Sequence, residues 1–349
     1  MSTSMGDWGG EEVIARRDRA TGAWTIIAIH STVRGPGMGG TRMRHYDRPE
    51  DALTDAMRLA EGMTLKQAVS DMPFGGAKAV IAVPADLSPG DRTRLLLDYG
   101  ALVESLGGRF LTGPDMGTGE ADMDLLGTVT GNVFCRSVAA GGSGTASPWT
   151  AAGVFSGIKA SLEHATGSAS LAGRRVVVQG VGAVGGKLAH LLHDAGAELL
   201  IADEDADRAL SVSAELPGSK VISPSAVIDT EADVYSPNAG GGTVNRDSIP
   251  RLRCRVIAGA ANNQLGQPSD AELLRERGIL YAPDYVINSG GIIRGIGAET
   301  LHWPDAEIDR KVDAIGDSLL QIYRDADAAG ITTDEAAARI ANERLLAPA

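Results

Sequence analysis

The sequence predicts an α/β protein of two domains: an N-terminal α/β domain and a C-terminal doubly wound parallel sheet, with a cleft between them. Three observations predict it. Val176–Val178 is a short run of β-branched residues, as suits a strand buried on both faces, and a glycine-rich turn and a helical pattern follow it. Further short apolar runs (Leu199–Ala202, Asp233–Tyr235, Arg255–Ala258, Ile279–Tyr281) alternate with helical stretches. Before them, Ala139 to Pro148 reads Ala-Ala-Gly-Gly-Ser-Gly-Thr-Ala-Ser-Pro, a linker by composition. The expected division is 1–145 and 146–325, with helices from about 325 to 349 packing back on the first domain.

The turn after Val178 is specific. Gly180, Gly182 and Gly185 fall in G-x-G-x-x-G spacing, with Ala183 and Val184 between the last two. Leu188, Leu191, Leu192 and Ala195 then recur at helical spacing, and Gly196 stands where a helix ends. In such a unit the first glycine makes the tight turn. The second lets the main chain approach a pyrophosphate, and the third lets helix pack on strand. The helix N-terminus offers its N–H groups to the phosphates. Asp203, ending the second strand, is placed to accept hydrogen bonds from ribose hydroxyls. No basic residue directly follows it, and a carboxylate repels a 2′-phosphate, so NAD is expected rather than NADP.

Composition narrows the partners. The net charge of −13 argues against nucleic acid and anionic membranes. No apolar run approaches the ~20 residues that span a bilayer. Met1 to Trp8 has neither the basic nor the apolar region of a secretory leader. Cys135 and Cys254 are far apart in the chain and suit a reducing cytoplasm. His190 and His193 have metal-like spacing, but no third ligand stands nearby, so they read as helix-surface residues and no metal is expected.

Along the first domain, Glu11–Arg16 and Trp24–His30 read as strands about the turn at Arg19–Gly22. Gly35–Arg42 is too glycine-rich for a regular element. Pro49, with Glu50 and Asp51, opens a helix whose buried stripe is Leu53, Ala56, Met57 and Ala60. Gly62–Lys66 and Asp71–Lys78 read as turns before a strand at Ala79–Val83. A helix over 92–106 leads to a short strand at 109–112 and the turn Gly113–Thr118. In the second half, Ser269 and Glu272 form a capping-box pattern, Asp305 to about Asp327 reads as one helix, and Thr332 with Glu335 caps another.

Two of only six lysines, Lys66 and Lys78, therefore fall in glycine-rich turns, and Asp115 falls in a third. Lysine shifts its pKa readily when buried, and two lysines with an aspartate can bind an anion and move protons. On spacing alone, solvated loops explain the same residues.

Longer blocks resolve that choice by resemblance. Gly35-Pro-Gly-Met-Gly-Gly-Thr-Arg42, Met63-Thr-Leu-Lys66, Pro73-Phe-Gly-Gly-Ala-Lys78, Gly113-Pro-Asp-Met-Gly-Thr118, Gly259-Ala-Ala-Asn-Asn263 and Tyr281 to Gly291 occur in order through nearly the whole chain. Together they resemble the glutamate, leucine, phenylalanine and valine dehydrogenase superfamily. The likeness is greatest to actinobacterial phenylalanine dehydrogenases, with leucine/valine dehydrogenase features. It implies reversible, NAD-dependent oxidative deamination of an apolar L-amino acid (phenylalanine, leucine or valine) to the 2-oxo acid and ammonia, in a cytoplasmic homo-oligomer. It also implies roles. Lys66 binds the substrate carboxylate, helped by the Gly40 main chain and Asn262. Lys78 is the general base that activates water, and Asp115 exchanges protons with the substrate nitrogen. Gly182, Asp203 and Asn262 hold NAD, with Ala239 and Asn288 near the nicotinamide. Met38, Met63 and Ile292 line the side-chain pocket, and Gly295 returns some of the space that Ile292 takes.

The sequence departs from the family at Ala77, where a third glycine usually precedes the base. If that position needs positive φ, alanine is strained there by ~1 kcal/mol or more. Two other functions fit the scaffold: a catalytically silent NAD-binding sensor and an amine dehydrogenase. Lys66, Lys78, Asp115 and Asn262 together argue against the first. Lys66 and Asn262 argue against the second, whose substrate lacks a carboxylate.

Overall fold

The computed structural model describes residues 8–346. Residues 1–7, on which most of the leader expectation rests, and 347–349, the end of the C-terminal helical stretch, lie outside them. The chain divides into two compact units. One holds the residues up to Thr145, with Gly295–His302 and the residues from Ala341. The other holds Ala146–Arg294 and Trp303–Ile340.

The first unit is built on a five-stranded sheet. β1 (Glu12–Arg17) and β2 (Trp24–Ser31) form an antiparallel pair. β3 is Gly37–Arg44, so the glycine-rich run expected to be irregular is a strand. It is paired on both edges, by β4 (Gly75–Ala82) and β5 (Phe110–Pro114), and ladder bonds outweigh its poor propensity. The strand order is β1-β2-β4-β3-β5, with β3, β4 and β5 mutually parallel and β2 antiparallel to β4.

The helix opened by Pro49 runs on to Val69 as α1. Gly62 faces open space, and one such glycine costs only ~1 kcal/mol in a helix. Lys66 is thus in the last helical turn rather than in a loop, and Lys78 is inside β4 rather than before it. α2 (Pro89–Ser105) is capped by Ser88, whose Oγ accepts the Asp91 N–H, and α3 (Glu120–Leu126) follows β5.

Side-chain alternation sorts the sheet into two faces. Ala77, Ala79, Ile81, Met43 and Phe110 pack with Leu96, Tyr99 and Met123 of α2 and α3. Val80 and Ala82 pack with Ala52, Ala56, Met57 and Ala60 of α1.

The second unit opens with α4 (Ser147–Thr166) and alternates β6 (Arg175–Gln179), α5 (Gly185–Asp194), β7 (Glu198–Ala202), α6 (Ala206–Glu215) and β8 (Lys220–Val221). Then come β9 (Val234–Pro237), β10 (Val256–Ile257), α7 (Asp270–Glu276), β11 (Leu280–Tyr281), α8 (Asp284–Ile287) and α9 (Gly290–Glu299). The strand order is β11-β10-β9-β6-β7-β8, every pair parallel. This is the doubly wound sheet the sequence predicts.

α10 (Asp305–Asp313), α11 (Ile315–Ala329) and α12 (Thr333–Leu346) complete the chain. The expected single helix is broken at Ala314, where Ser156 Oγ donates to the Asp313 carbonyl at 2.7 Å and competes for an intrahelical acceptor. Ser269 caps nothing through its side chain, and Glu272 pairs with Arg275 instead of closing a capping box. Thr332 does cap α12, accepting the Glu335 N–H at 3.1 Å.

Candidate active site

The site in the first unit grows from a glycine. A Cβ on Gly76 would lie 2.1 Å from the Thr64 nitrogen, so only glycine lets the last turns of α1 lie directly on β4. That approach lays α1, whose last turns carry half-buried Met63 and Lys66, on the face of the sheet on which Lys78 stands. Met38 and Gly40 of β3 alternate onto the same face, and Met38 is fully buried. Gly113 of β5 also lies on it, in register with Gly40. Asp115 follows β5 directly. Its N–H donates to Thr118 Oγ1, which in turn donates to the Thr41 carbonyl and fixes the turn.

Lys78 is only 6% exposed, and its Nζ lies 3.1 Å from Asp115 Oδ2. Burial pushes its pKa down, Asp115 opposes that, and nearby Arg42 adds to it. Burial alone would raise the pKa of Asp115, but Lys78 and Arg42 outweigh it and hold the carboxyl below its ordinary value. The result is a desolvated lysine primed to lose its proton beside a carboxylate held ionised. Such a pair can take a proton from water and pass one to a substrate nitrogen.

Ala77 carries no strain. It is a fully buried mid-strand residue and is absent from the positive-φ positions, so Lys78 is presented from regular β-strand. Gly295 returns no space. A Cβ there would meet Cys135 Sγ at 2.6 Å and the Phe134 ring at 3.2 Å. The same ring lies 2.4 Å from where a Gly113 Cβ would be, and so covers the β5 edge of the site face.

Sequence reasoning missed Phe134, Arg42 and Asp55. Arg42 Nε donates to Asp115 Oδ2 at 2.9 Å and Nη1 to Asp55 Oδ2 at 2.9 Å. The signal for Arg42 was alternation: once 37–44 is a strand, Arg42 shares a face with Met38 and Gly40. No signal in the sequence marked Phe134.

In the second unit the remaining residues gather at the carboxyl ends of the strands, where open α/β sheets bind ligands. Gly180 follows β6 at φ +88°, and a Cβ on it would be 2.7 Å from the Ala239 Cβ after β9. Those loops meet where the strand order reverses. A Cβ on Gly185 would sit 1.9 Å from the Gly180 carbonyl oxygen, whereas Gly182 faces open space. Ala183 is exposed and Val184 half-buried at the start of α5. The cradle therefore leaves its main chain approachable, as a pyrophosphate needs.

Asp203, after β7, accepts the Val181 N–H at 2.8 Å, which couples it to the glycine turn. Its other oxygen lies 3.2 Å from Nη1 of Arg208, which α6 brings back to this point. A cation thus stands beside the acid although none follows it directly in sequence. Buried Asn288 donates from Nδ2 to the Ala260 carbonyl at 3.1 Å and to Asn262 Oδ1 at 2.7 Å. With its oxygen engaged, exposed Asn262 presents its NH₂ as a donor. Ile292 is half-buried on α9, whose Gly290 abuts the Trp149 carbonyl. His190 Nδ1 and His193 Nε2 are within hydrogen-bond distance of the Gly186 and Pro217 carbonyls, and His190 Nε2 is 3.2 Å from Glu215.

A family model described as the Glu/Leu/Phe/Val dehydrogenase dimerisation domain matches residues 13–130, and one described as Glutamate/Leucine/Phenylalanine/Valine dehydrogenase matches 141–208 and 198–347. The chain belongs to this dehydrogenase family. Valine dehydrogenase of Streptomyces virginiae is 43% identical, over 97% of this chain and 95% of the relative. Leucine dehydrogenase of Geobacillus stearothermophilus is 40% identical, over 96% and 90%. Among solved structures, L-tryptophan dehydrogenase from Nostoc punctiforme superposes with a TM-score of 0.83 at 38% identity, covering 97% of both chains. The hetero-hexameric glutamate dehydrogenase of Thermus thermophilus gives 0.78 at 26% identity, covering 96% of this chain and 88% of that one. As its family describes, the protein is an amino-acid dehydrogenase enzyme.

Proposed function

We propose that this dehydrogenase is NAD-dependent and acts on apolar L-amino acids, phenylalanine and the branched chains among them, in reversible oxidative deamination. The observation that carries the reading is the pair of buried Lys78 and half-buried Asp115 on the sheet face that also bears Gly40, Met38 and the last turns of α1. In this reading Lys66, the Gly40 main chain and the Asn262 amide bind the substrate carboxylate. The Gly180–Gly185 turn and Asp203, with Ala239 and Asn288 nearby, would hold NAD, which would supply the hydride acceptor. Lys78, in its neutral form, takes a proton from the water that attacks the substrate iminium carbon. Asp115 relays protons to and from the substrate nitrogen as the carbinolamine forms and collapses to 2-oxo acid and ammonia.

Met38, Met63 and Ile292 offer no charge to a polar side chain. Leaving a second carboxylate unpaired costs several kcal/mol, so glutamate is rejected. The leucine, valine and tryptophan dehydrogenases among the relatives support an apolar substrate. The dimerisation domain of the family description supports a homo-oligomer, and the hetero-hexameric relative supports assembly of this fold into oligomers. Among the described residues no helix is long and apolar enough to cross a membrane, and the two cysteines form no disulfide; a cytoplasmic enzyme fits both. The test is a panel of L-amino acids with NAD and with NADP, read by the absorbance of reduced coenzyme. Turnover of leucine, valine or phenylalanine with NAD is expected. Turnover confined to glutamate, or to amines without a carboxylate, overturns the reading.

A further inference from the structure

Arg42 is 8% exposed, and its guanidinium bridges two carboxylates on the site face. Its Nε reaches the same Asp115 oxygen that Lys78 Nζ meets, at 2.9 and 3.1 Å. Its Nη1 reaches Asp55 Oδ2, to which the Tyr46 hydroxyl also donates at 2.6 Å, while Arg58 holds the other Asp55 oxygen at 3.0 Å. The charges therefore run in a chain from Lys78 through Asp115, Arg42 and Asp55 to Arg58. We propose that Arg42 is a positioning residue of the reaction: it holds the Asp115 carboxylate through the same oxygen that Lys78 meets, and Asp55 sets how much of its charge Lys78 feels. The inference rests on Lys78 being the base.

Arg42 divides its donors between the proton-relaying carboxylate and a second acid that touches neither Lys78 nor Asp115 in any hydrogen bond. Arg42 stays protonated: burial opposes its charge, but Asp115 and Asp55 outweigh that. Lys78 feels opposite influences, Arg42 lowering its pKa and Asp55 raising it. The other ionisable groups presented to this face are Glu61 and Lys66 from α1, Tyr46 from the loop before it, and His30 from β2, which is hydrogen-bonded to Thr64. Tyr46 donates to Asp55 and His30 meets Thr64, so neither of these two bridges to Asp115.

The signs give a test that packing alone does not mimic. Oxidative deamination needs neutral Lys78, so kcat/KM rises with pH as its proton leaves. Arg42→Gln removes a cation and should move that limb to higher pH, with kcat at least tenfold lower. Asp55→Asn leaves Arg42 uncompensated and should move the limb to lower pH. Arg42→Lys should lie nearest to wild type. Opposite shifts for Arg42→Gln and Asp55→Asn support the proposal. Limbs that coincide, or that move together, overturn it. Should Arg42→Gln fail to fold by circular dichroism, Asp55→Asn decides alone: a downward shift supports and an unmoved limb overturns. A ¹³C-lysine NMR titration of the same variants, tractable with six lysines, follows the Lys78 amine without turnover. It therefore separates failure of this inference from failure of the proposed reaction.

Discussion

Asp203 and Arg208 form an ion pair at the mouth of the glycine turn, Oδ1 to Nη1 at 3.2 Å, while the second Asp203 oxygen stays on the Val181 N–H. Burial works against the Asp203 charge, but the Val181 and Asp205 N–H groups and Arg208 outweigh it and keep the carboxyl ionised. An ionised acid accepts ribose hydroxyls and repels a 2′-phosphate. NAD should therefore exceed NADP in kcat/KM by at least an order of magnitude, about 1.4 kcal/mol. Asp203→Ala should release Arg208 to meet the phosphate and lower that ratio at least tenfold. Asp203→Ala/Arg208→Ala should lose the gained NADP activity. Steady-state kinetics with both coenzymes checks this, and equal wild-type use of the two sinks it.

The Lys78–Asp115 pair makes a second expectation. Lys78→Ala and Asp115→Asn should each lower kcat by ~10²–10⁴-fold, the range of general acid–base groups. Binding of reduced coenzyme, followed by fluorescence, should persist in both. Lys66→Ala should instead raise KM for the amino acid and relax discrimination against amines. Near-normal kcat in Lys78→Ala would remove it from the mechanism.

Much of this site was legible in the sequence because glycine leaves a pattern where main chains must touch. Gly180, Gly182 and Gly185 mark the tight turn between β6 and α5 by spacing alone. Gly76 marks the close approach of α1 to β4, but its meaning needs coordinates, since a glycine pair before a lysine reads equally as a turn. That ambiguity hid β3 and the first half of β4, and with them the alternation that puts Arg42 beside Lys78. Strand propensity is overridden when both edges are paired, and pairing between segments 38 and 73 residues apart, as in Met38 with Gly76 and Gly37 with Phe110, leaves no local trace. Arg208 stayed hidden for a related reason: it returns to Asp203 from the next helix rather than following it in sequence.

A pair of half-buried acids in the second unit sets a pH dependence of stability. Asp334, in the first turn of α12, is pushed up to about 6, first by burial and then by the nearby Asp284 carboxylate. Asp284 also accepts the Gln264 N–H at 2.8 Å, beside Asn262. A carboxyl whose folded pKa is raised binds its proton more tightly when folded. Its contribution is therefore full below the unfolded value near 3.8 and is lost as pH rises through about 6. Asp334→Asn should raise the melting temperature at pH 8 and change it little at pH 4, with a gain of the order of 1–3 kcal/mol at the higher pH. Parallel melting curves for variant and wild type across that range would contradict the pairing.

Phe134 and Gly113 make the last expectation, one that reads both fold and specificity. The Phe134 ring fills the space where Gly113 and Gly295 would carry side chains, at 2.4 and 3.2 Å from their Cβ positions. It stands on the face that bears Lys78 and Asp115, so it bounds the site at the β5 edge. Gly113→Ala should overpack this contact and cost ~1–3 kcal/mol. Phe134→Leu in the same chain should recover most of the loss, because a smaller side chain vacates the clash. That double-mutant comparison needs only denaturation and no substrate. If the ring also limits the substrate side chain, Phe134→Ala should shift kcat/KM from valine toward phenylalanine. One to two methylenes of pocket space are worth ~1–3 kcal/mol each, so the ratio should change at least tenfold. A recovered fold with an unchanged ratio would leave Phe134 a packing residue and return the size limit to Met38, Met63 and Ile292. In that case Ile292→Ala should produce the tenfold shift instead.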